Sequence, residues 1–189
     1  MGYSHFLSTE ASLANFRAVY DIHGDVDVAY CYEGDIALSR CSSSNVLFFP
    51  LMAILEGGVR FSVDPLILST LRFYGLYPDQ LPLNFYRVIS CISRLNQIHG
   101  LQLHHHDINF MYSLCSNIRF DYYLKVRDLW VQLISCLPDS NRNSVGEYVR
   151  VSGNWLGDKL TCPTSPRDVS RYRAILTAFN LVFYPCLFC

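Results

Sequence analysis

The stretch that decides the fold runs from Gly57 to Gly100 and reads GGVRFSVDPLILSTLRFYGLYPDQLPLNFYRVISCISRLNQIHG. It predicts two helices joined by a short turn. Asp64 followed by Pro65 is typical of a helix start, because the Asp side chain accepts bonds from free backbone N–H groups and proline costs nothing in the first turn. Gly75 is the expected end of the first helix, since glycine adopts the left-handed terminal conformation without strain.

The second helix is predicted to begin near Pro82 and to end at Gly100. Its apolar side chains recur three and four positions apart, which places them on one face. The members of this face are Phe85, Val88, Ile89, Ile92 and Leu95. The turn at residues 76–81 is so short that the two helices must be neighbours. Upstream, Pro50 opens a short helix at residues 51–55, which we expect to be buried because it is apolar on all sides.

The same stretch carries a family resemblance. The order is Gly-Gly-x-Arg-Phe, a proline-led apolar helix, Tyr-Gly-Leu, then Gln-Leu-Pro-x-Asn and a second helix. The matching residues are Gly57, Gly58, Arg60, Phe61, Pro65, Leu71, Tyr74, Gly75, Leu76, Gln80, Leu81 and Asn84. On these residues the chain resembles the gypsy-type transposase domain of plant transposon-derived proteins. The resemblance extends more loosely over residues 16–163.

The chain departs from the family pattern in two places. Ser62 and Val63 stand where the family has Pro-Leu, and Pro82 lies one place before the expected proline. The resemblance implies an origin in a retrotransposon reading frame. It supplies no catalytic motif and no site residue.

Other patterns complete the prediction of a mainly α fold, with four or five helices and a small antiparallel β element (an α+β fold was the alternative). Ser8 and Thr9 are candidate caps of a first helix. Residues 25–32 alternate between polar and apolar, which favours a strand. Leu13, Phe16 and Tyr20 form the apolar side of that first helix.

Beyond Gly100, we predict a third central helix followed by the β element. The apolar stripe of this helix consists of Ile108, Met111, Tyr112 and Cys115. Residues 130–136 and 147–152 are predicted to form an antiparallel pair, with residues 122–126 as a third strand.

Length and composition suit one globular domain. The chain has 189 residues, of which 51% are hydrophobic and 16% charged, and this composition excludes a disordered chain. We expect the domain to cover residues 1–163, with a helical core at 46–118 and the β element at 120–155. Residues 164–189 are then a linker and an apolar tail, for which a truncated reading frame, a packed helix and a membrane anchor are the alternatives, in that order.

The eight cysteines favour reduced thiols in an intracellular protein of the nucleus or cytoplasm. Residues 1–9 lack the basic start and apolar run of a secretory signal. Several cysteines lie in apolar helical faces, where a free cysteine behaves as a small hydrophobic residue.

Candidate metal ligands are few. Adjacent residues point in different directions, so a site at His104-His105-His106 needs His104 and His106 together with His99 or Asp107. A solvated loop with a helix cap is the favoured interpretation. The terminal pair Cys186 and Cys189 has no second pair to complete a zinc site. We predict no cofactor and no metal site.

Signatures of catalysis are also weak. A transposase-type nuclease needs three carboxylates that converge on two metal ions. The available acids are Asp64, Asp107, Asp121, Asp128, Asp139, Glu147 and Asp158, and their spacing selects no triad. Ser152-Gly153 lacks the pattern of a hydrolase nucleophile, and Gly57-Gly58 lacks that of a phosphate loop.

A basic and aromatic face is the best nucleic-acid hypothesis. Arginine and lysine neutralise phosphates, and aromatic rings stack on single-stranded bases. The candidate residues are Arg87, Arg94, Arg119, Tyr122, Lys125 and Arg127, with Arg60, Arg72 and Tyr123 as further contributors. The alternative is an ordinary solvated helix surface, which the net charge of −1 favours.

The sequence thus predicts a transposable-element-derived, non-catalytic structural or interaction domain with modest nucleic-acid binding. A metal-dependent nuclease or transposase is the alternative, and a degenerate remnant without activity is a third interpretation. We expect a protein partner or self-assembly first, nucleic acid second, and no membrane.

Overall fold

The computed structural model of the protein describes residues 7–32, 46–116, 122–128, 133–138 and 146–155. The helices are α1 (Glu10–Val19), α2 (Leu51–Leu55), α3 (Pro65–Tyr74), α4 (Leu83–His99) and α5 (His105–Met111). The strands are β1 (Val26–Tyr32), β2 (Leu47–Pro50), β3 (Tyr112–Ser116), β4 (Tyr122–Val126) and β5 (Glu147–Gly153). A single 3-10 turn, Pro78–Gln80, connects α3 to α4.

The two antiparallel sheets make the fold α+β, so the prediction of a mainly α domain is wrong. Within the described residues, one sheet has the strand order β1-β5-β2 and the other is the β3–β4 pair. The sequence pattern concealed two of the strands. β2 is a short apolar run, which periodicity does not distinguish from a buried helix, and β3 continues directly from α5.

The central strand of the larger sheet is β5. It pairs with β1 through Val28↔Val151 and with β2 through Phe49↔Val149. Val149 and Val151 are fully buried. The predicted strands at 25–32 and 147–152 are therefore confirmed, but the predicted partner of the second is wrong. Residues 133–136 are irregular, and residues 130–132 lie outside the described part of the chain.

The helix starts and ends predicted for the central pair are confirmed. The backbone N–H of Leu66 donates to Asp64 Oδ1 at 2.7 Å, which caps α3. The helix ends at Gly75, whose φ of 65° is left-handed, and α4 ends at Gly100 with a φ of 63°. Ser93 on α4 also donates its hydroxyl to Asp64 Oδ2. The cap of one helix is thus also a contact between the two.

The core lies between these helices and the larger sheet. α1 is present as predicted, with Phe16 buried, and α2 is buried over four of its five residues. Tyr86 on α4 is fully buried and donates its hydroxyl to the carbonyl oxygen of Pro78 at 2.6 Å. Since an unpaired buried hydroxyl is costly, this bond fixes the turn that joins α3 to α4.

The helix predicted beyond Gly100 is shorter in the structure than the apolar stripe indicated. α5 ends at Met111, and the chain continues as β3. Tyr112 and Leu114 are buried whereas Ser113 and Cys115 are only half-buried, which is the alternation of a strand. The apolar residues predicted a helix because Ile108 and Tyr112 are four positions apart, which is close to one helical turn. Tyr112 and Leu114 also fit the two-residue period of a strand, so the sequence pattern alone did not distinguish the two.

No helix of the described residues is long and apolar enough to cross a membrane. The predicted linker and tail at residues 164–189 lie outside the residues that the structure describes.

Candidate nucleic-acid interface

The outer face of the β3–β4 pair carries an exposed ring and an exposed cation. Tyr123 lies opposite Cys115, and Lys125 lies opposite Ser113. Tyr123 is 41% exposed and Lys125 is also exposed, whereas Tyr122 on the same strand is only 4% exposed. Side chains alternate along a strand, so Tyr123 and Lys125 point to one face and Tyr122 to the other.

The next outward residue, Arg127, is held beside α5. Its backbone N–H donates to the carbonyl oxygen of Met111, and its Nε donates to that of Asn109, both at 3.0 Å. Phe110 lies between these two acceptors in the chain and is 74% exposed. Both bonds of Arg127 therefore end on the backbone of α5, at the residues on either side of the exposed Phe110.

We call Phe110, Tyr123, Lys125 and Arg127 the hairpin face. It combines two aromatic rings with two basic side chains, and all four residues are exposed. One exposed acid, Asp128, follows Arg127 in the chain. The carboxylate of Asp107 on α5 is already engaged, because it accepts the backbone N–H of His104 at 2.8 Å.

The predicted site residue Arg87 does not belong to this face. Its guanidinium donates to Glu56 Oε2 at 2.5 Å and to Asn84 Oδ1 at 3.0 Å. It also donates to the carbonyl oxygen of Pro138 at 3.4 Å. The side chain retains only 13% exposure. Arg87 therefore holds parts of the fold together, and its donors are not free for phosphate.

The remaining predicted site residues do not lie on one surface. Tyr122 is buried, so its prediction as a stacking residue is wrong, and the exposed ring is Tyr123. Arg94 lies on α4, where its Nη1 donates to Gln97 Oε1 at 3.3 Å. Arg119 lies outside the described residues. Lys125 and Arg127 are exposed, and their predicted role in binding nucleic acid stays a prediction.

Sequence reasoning missed Phe110 and gave Tyr123 only a secondary place. The alternation of β4 separates Tyr122 from Tyr123, but the burial of one face was needed to decide which ring points outward. Phe110 had no signal of its own. It enters the site because Arg127 is hydrogen-bonded to the backbone of Asn109 and Met111, its two neighbours in the chain.

Two of the three adjacent histidines, His105 and His106, form part of an aromatic cluster at the start of α5. The rings of His105 and His106 lie 5.0 and 5.3 Å from the ring of Phe73, measured between centroids. Burial lowers the pKa of His105, and its histidine neighbours lower it further. Among the described residues no three His, Cys, Asp or Glu side chains are grouped as a metal site requires.

Two of the carboxylates considered for catalysis have structural partners. Asp64 caps α3 and accepts from Ser93, and Asp107 accepts from the start of α5. Ser152 lies within β5 and not on a strand-to-helix turn. Asp121, Asp139, Asp158 and the Cys186–Cys189 pair lie outside the described residues.

Comparisons with protein-family models, with curated proteins and with solved structures found no match for this chain. The resemblance to the gypsy-type transposase domain therefore stays a prediction from the sequence.

Proposed function

We propose that the protein is a transposable-element-derived, non-catalytic interaction domain that binds single-stranded nucleic acid on the hairpin face. One observation carries the proposal. Tyr123, Lys125 and Arg127 are exposed at every second position, and Arg127 is bonded to the backbone on either side of the exposed Phe110. The proposed origin is supported by the residue pattern of 57–100.

The chemistry of the hairpin face favours single strands over duplexes. An exposed aromatic ring can stack on a base only where the base is not already stacked between its neighbours in a duplex. Single strands and loops offer such bases. Tyr123 and Phe110 offer such rings, and Lys125 and Arg127 lie close enough in the chain to meet the neighbouring phosphates. A duplex would meet only the two charges.

The binding should be modest and strongly dependent on salt. Two cations replace few counterions, and the chain as a whole carries a net charge of −1. The side chain of Arg127 is already ordered before binding, because its Nε donates to the carbonyl oxygen of Asn109. Ordering a flexible cation in advance removes part of the entropic cost of binding.

Fluorescence anisotropy of labelled single-stranded RNA, single-stranded DNA and duplex DNA, titrated with the full chain across a salt series, tests this function. We expect tighter binding to the single strands. The variant that combines Lys125→Gln with Arg127→Gln should bind more weakly. Its log–log salt slope should be shallower by about 1.4, because each lost phosphate contact contributes about 0.7.

Arg94→Gln is the matched control, since it also removes one exposed arginine but from α4. It should leave the slope unchanged within error. Equal slopes for the double variant and the unchanged protein would contradict the proposal, as would the absence of binding at low salt.

Self-assembly is a second candidate function, and a different observation favours it. Ile98 is 59% exposed and Leu101 is 44% exposed, three positions apart at the end of α4. Sedimentation velocity of the full chain and of a variant with Ile98→Lys and Leu101→Lys tests it. A concentration-dependent dimer that the variant lacks would support assembly, and a monomer in both samples would remove it.

A further inference from the structure

Two free cysteines lie where α4 meets the segment formed by residues 133–138. Cys91 belongs to α4 and Cys136 to the segment, and both are exposed. Neither residue belongs to the hairpin face. Their chemistry is therefore separate from the proposed nucleic-acid function.

The segment is attached to the fold near both ends. At one end, Arg87 donates to the carbonyl oxygen of Pro138 at 3.4 Å. At the other, the backbone N–H of Ile134 donates to the hydroxyl oxygen of Tyr112 at 3.3 Å. Ile134 and Leu137 also pack against the core. The segment is thus held between Arg87 of α4 and Tyr112 of β3, with Cys136 between its two attachments.

Each of the two cysteines lies a short distance from the contact between Arg87 and Pro138. Cys91 lies one turn beyond Arg87 on the same side of α4, a displacement of about 6 Å. Cys136 lies two residues from Pro138, which is about 6 Å in extended chain. On the segment, this displacement leads from the Arg87 contact toward the bond between Ile134 and Tyr112.

The surroundings of Tyr112 give independent support for this direction. Burial raises the pKa of Tyr112, and the nearby Cys91 thiol raises it further. Cys91 therefore acts electrostatically on the same hydroxyl that accepts the bond from Ile134, two residues before Cys136. Residues 133–138 form no regular helix or strand, so the segment can settle against α4 without breaking one.

We propose that Cys91 and Cys136 form an intramolecular disulfide by exchange with a small-molecule disulfide such as oxidised glutathione. One cysteine thiolate attacks a sulfur of the oxidant, forms a mixed disulfide and expels one glutathione thiolate. The second cysteine thiolate attacks the protein sulfur of that mixed disulfide and expels the other. The two thiol protons pass to the two released thiolates, and the protein loses the two electrons that reduce the oxidant.

The disulfide would join α4 covalently to the segment that Arg87 already binds. It would also close the chain between residues 91 and 136, which restricts the unfolded state and raises thermal stability. This modification needs accessible thiols at a favourable separation, and both cysteines are exposed. The proposal does not depend on nucleic-acid binding, so either can fail alone.

Peptide mapping of the full chain tests the proposal directly. The folded protein is equilibrated in glutathione buffers of increasing oxidised fraction, alkylated, and digested with trypsin without reduction. Cleavage after arginine places Cys91 alone in residues 88–94 and Cys136 alone in residues 128–142. We expect a cross-linked product of these two peptides that is lighter by two hydrogen atoms than their sum.

Matched variants separate this pair from the other thiols. Cys91→Ser and Cys136→Ser should each abolish the cross-linked product, and Cys115→Ser should leave it intact. The oxidised protein should also melt at a higher temperature than the reduced protein, and this difference should vanish in Cys91→Ser. Recovery of both cysteines as separate peptides, alkylated or capped by glutathione, would overturn the proposal. The proposal would also be overturned if protein unfolded in guanidinium formed the cross-link in the same yield as the folded protein.

Discussion

The Arg87 guanidinium donates to the Glu56 carboxylate, with Nη2 2.5 Å from Oε2. Glu56 follows α2, and Arg87 lies in the second turn of α4, so the pair fixes the end of one helix against the other. The same guanidinium reaches Asn84 and the carbonyl oxygen of Pro138. Because three separate parts of the chain meet at Arg87, its role is in stability.

Replacing Arg87 by methionine should destabilise the protein without weakening its binding to nucleic acid. The arginine side chain is 13% exposed and the glutamate 41%, so solvent screens the ion pair in part. With the loss of the other two bonds, we expect a decrease of about 1–2 kcal/mol in the free energy of unfolding. Chemical denaturation measures it.

Arg94→Met is the control for this substitution, because Arg94 is exposed and makes a single contact within α4. Its effect on stability should stay within about 0.5 kcal/mol. If Arg87→Met binds nucleic acid more weakly but is as stable as the unchanged protein, Arg87 contacts the nucleic acid and this prediction is wrong.

The neighbouring tyrosines of β4 should respond in opposite ways to removal of their rings. Tyr122 is 4% exposed and belongs to the core, so Tyr122→Ala should cost about 3 kcal/mol of stability. Tyr123 is 41% exposed, so Tyr123→Ala should cost little stability. It should instead weaken single-strand binding by about 1–3 kcal/mol, the usual contribution of one stacked base.

Denaturation and anisotropy on the same two proteins make this comparison. Phe110→Ala should resemble Tyr123→Ala, because Phe110 is also exposed on the hairpin face. If Tyr123→Ala binds as tightly as the unchanged protein, the rings do not stack on bases and charge alone accounts for any binding.

The helices of residues 57–100 could be predicted because their signals are local. Asp64 caps the helix that begins beside it, and Gly75 and Gly100 end helices with a positive φ that the sequence already favoured. Each of these interactions closes within a few residues. Helix bounds therefore follow from the sequence without knowledge of the rest of the fold.

The sheet could not be predicted in the same way, because its contacts join distant residues. Val28 pairs with Val151 across most of the chain, and nothing near either residue specifies the other. The site shows the same limit on a smaller scale. Tyr122 and Tyr123 are adjacent and chemically equal, and only the register of β4 against the core decides which ring is exposed.

Gly57, the first residue of the stretch that decides the fold, should tolerate no side chain. A Cβ there would lie 2.6 Å from the carbonyl oxygen of Ala53 and 2.8 Å from Tyr86 Cβ. Backbone cannot rotate away as a side-chain tip can, so Gly57→Ala should cost about 1–3 kcal/mol in the free energy of unfolding. Gly24→Ala is the control, since a Cβ there meets nothing within 4 Å.

We expect Gly24→Ala to stabilise the protein slightly, by about 0.5 kcal/mol, through the lower entropy of its unfolded chain. Chemical denaturation of both variants makes the test. Equal stabilities would mean that α2 and α4 are not in the close contact that Gly57 allows.

Tyr74 should make the protein sensitive to alkali. Its hydroxyl donates to Asn109 Oδ1 at 3.2 Å. Burial raises the pKa of Tyr74 above its ordinary value of 10.0, and the positive charge of Arg127 opposes this only in part. The unfolded chain therefore loses this proton at a lower pH than the folded one. Stability is complete below the unfolded pKa and falls as the pH rises above it.

Tyr74→Phe should remove that contribution. At neutral pH the free energy of unfolding of the variant should be lower by about 1 kcal/mol, because the hydrogen bond to Asn109 is lost. Above pH ~10 its free energy of unfolding should decline less steeply than that of the unchanged protein, by up to about 1.4 kcal/mol per pH unit. Urea unfolding of both proteins at increasing pH measures the two slopes, and other groups that titrate there act equally in both. Parallel slopes would show that Tyr74 ionises as readily in the folded chain as in the unfolded one.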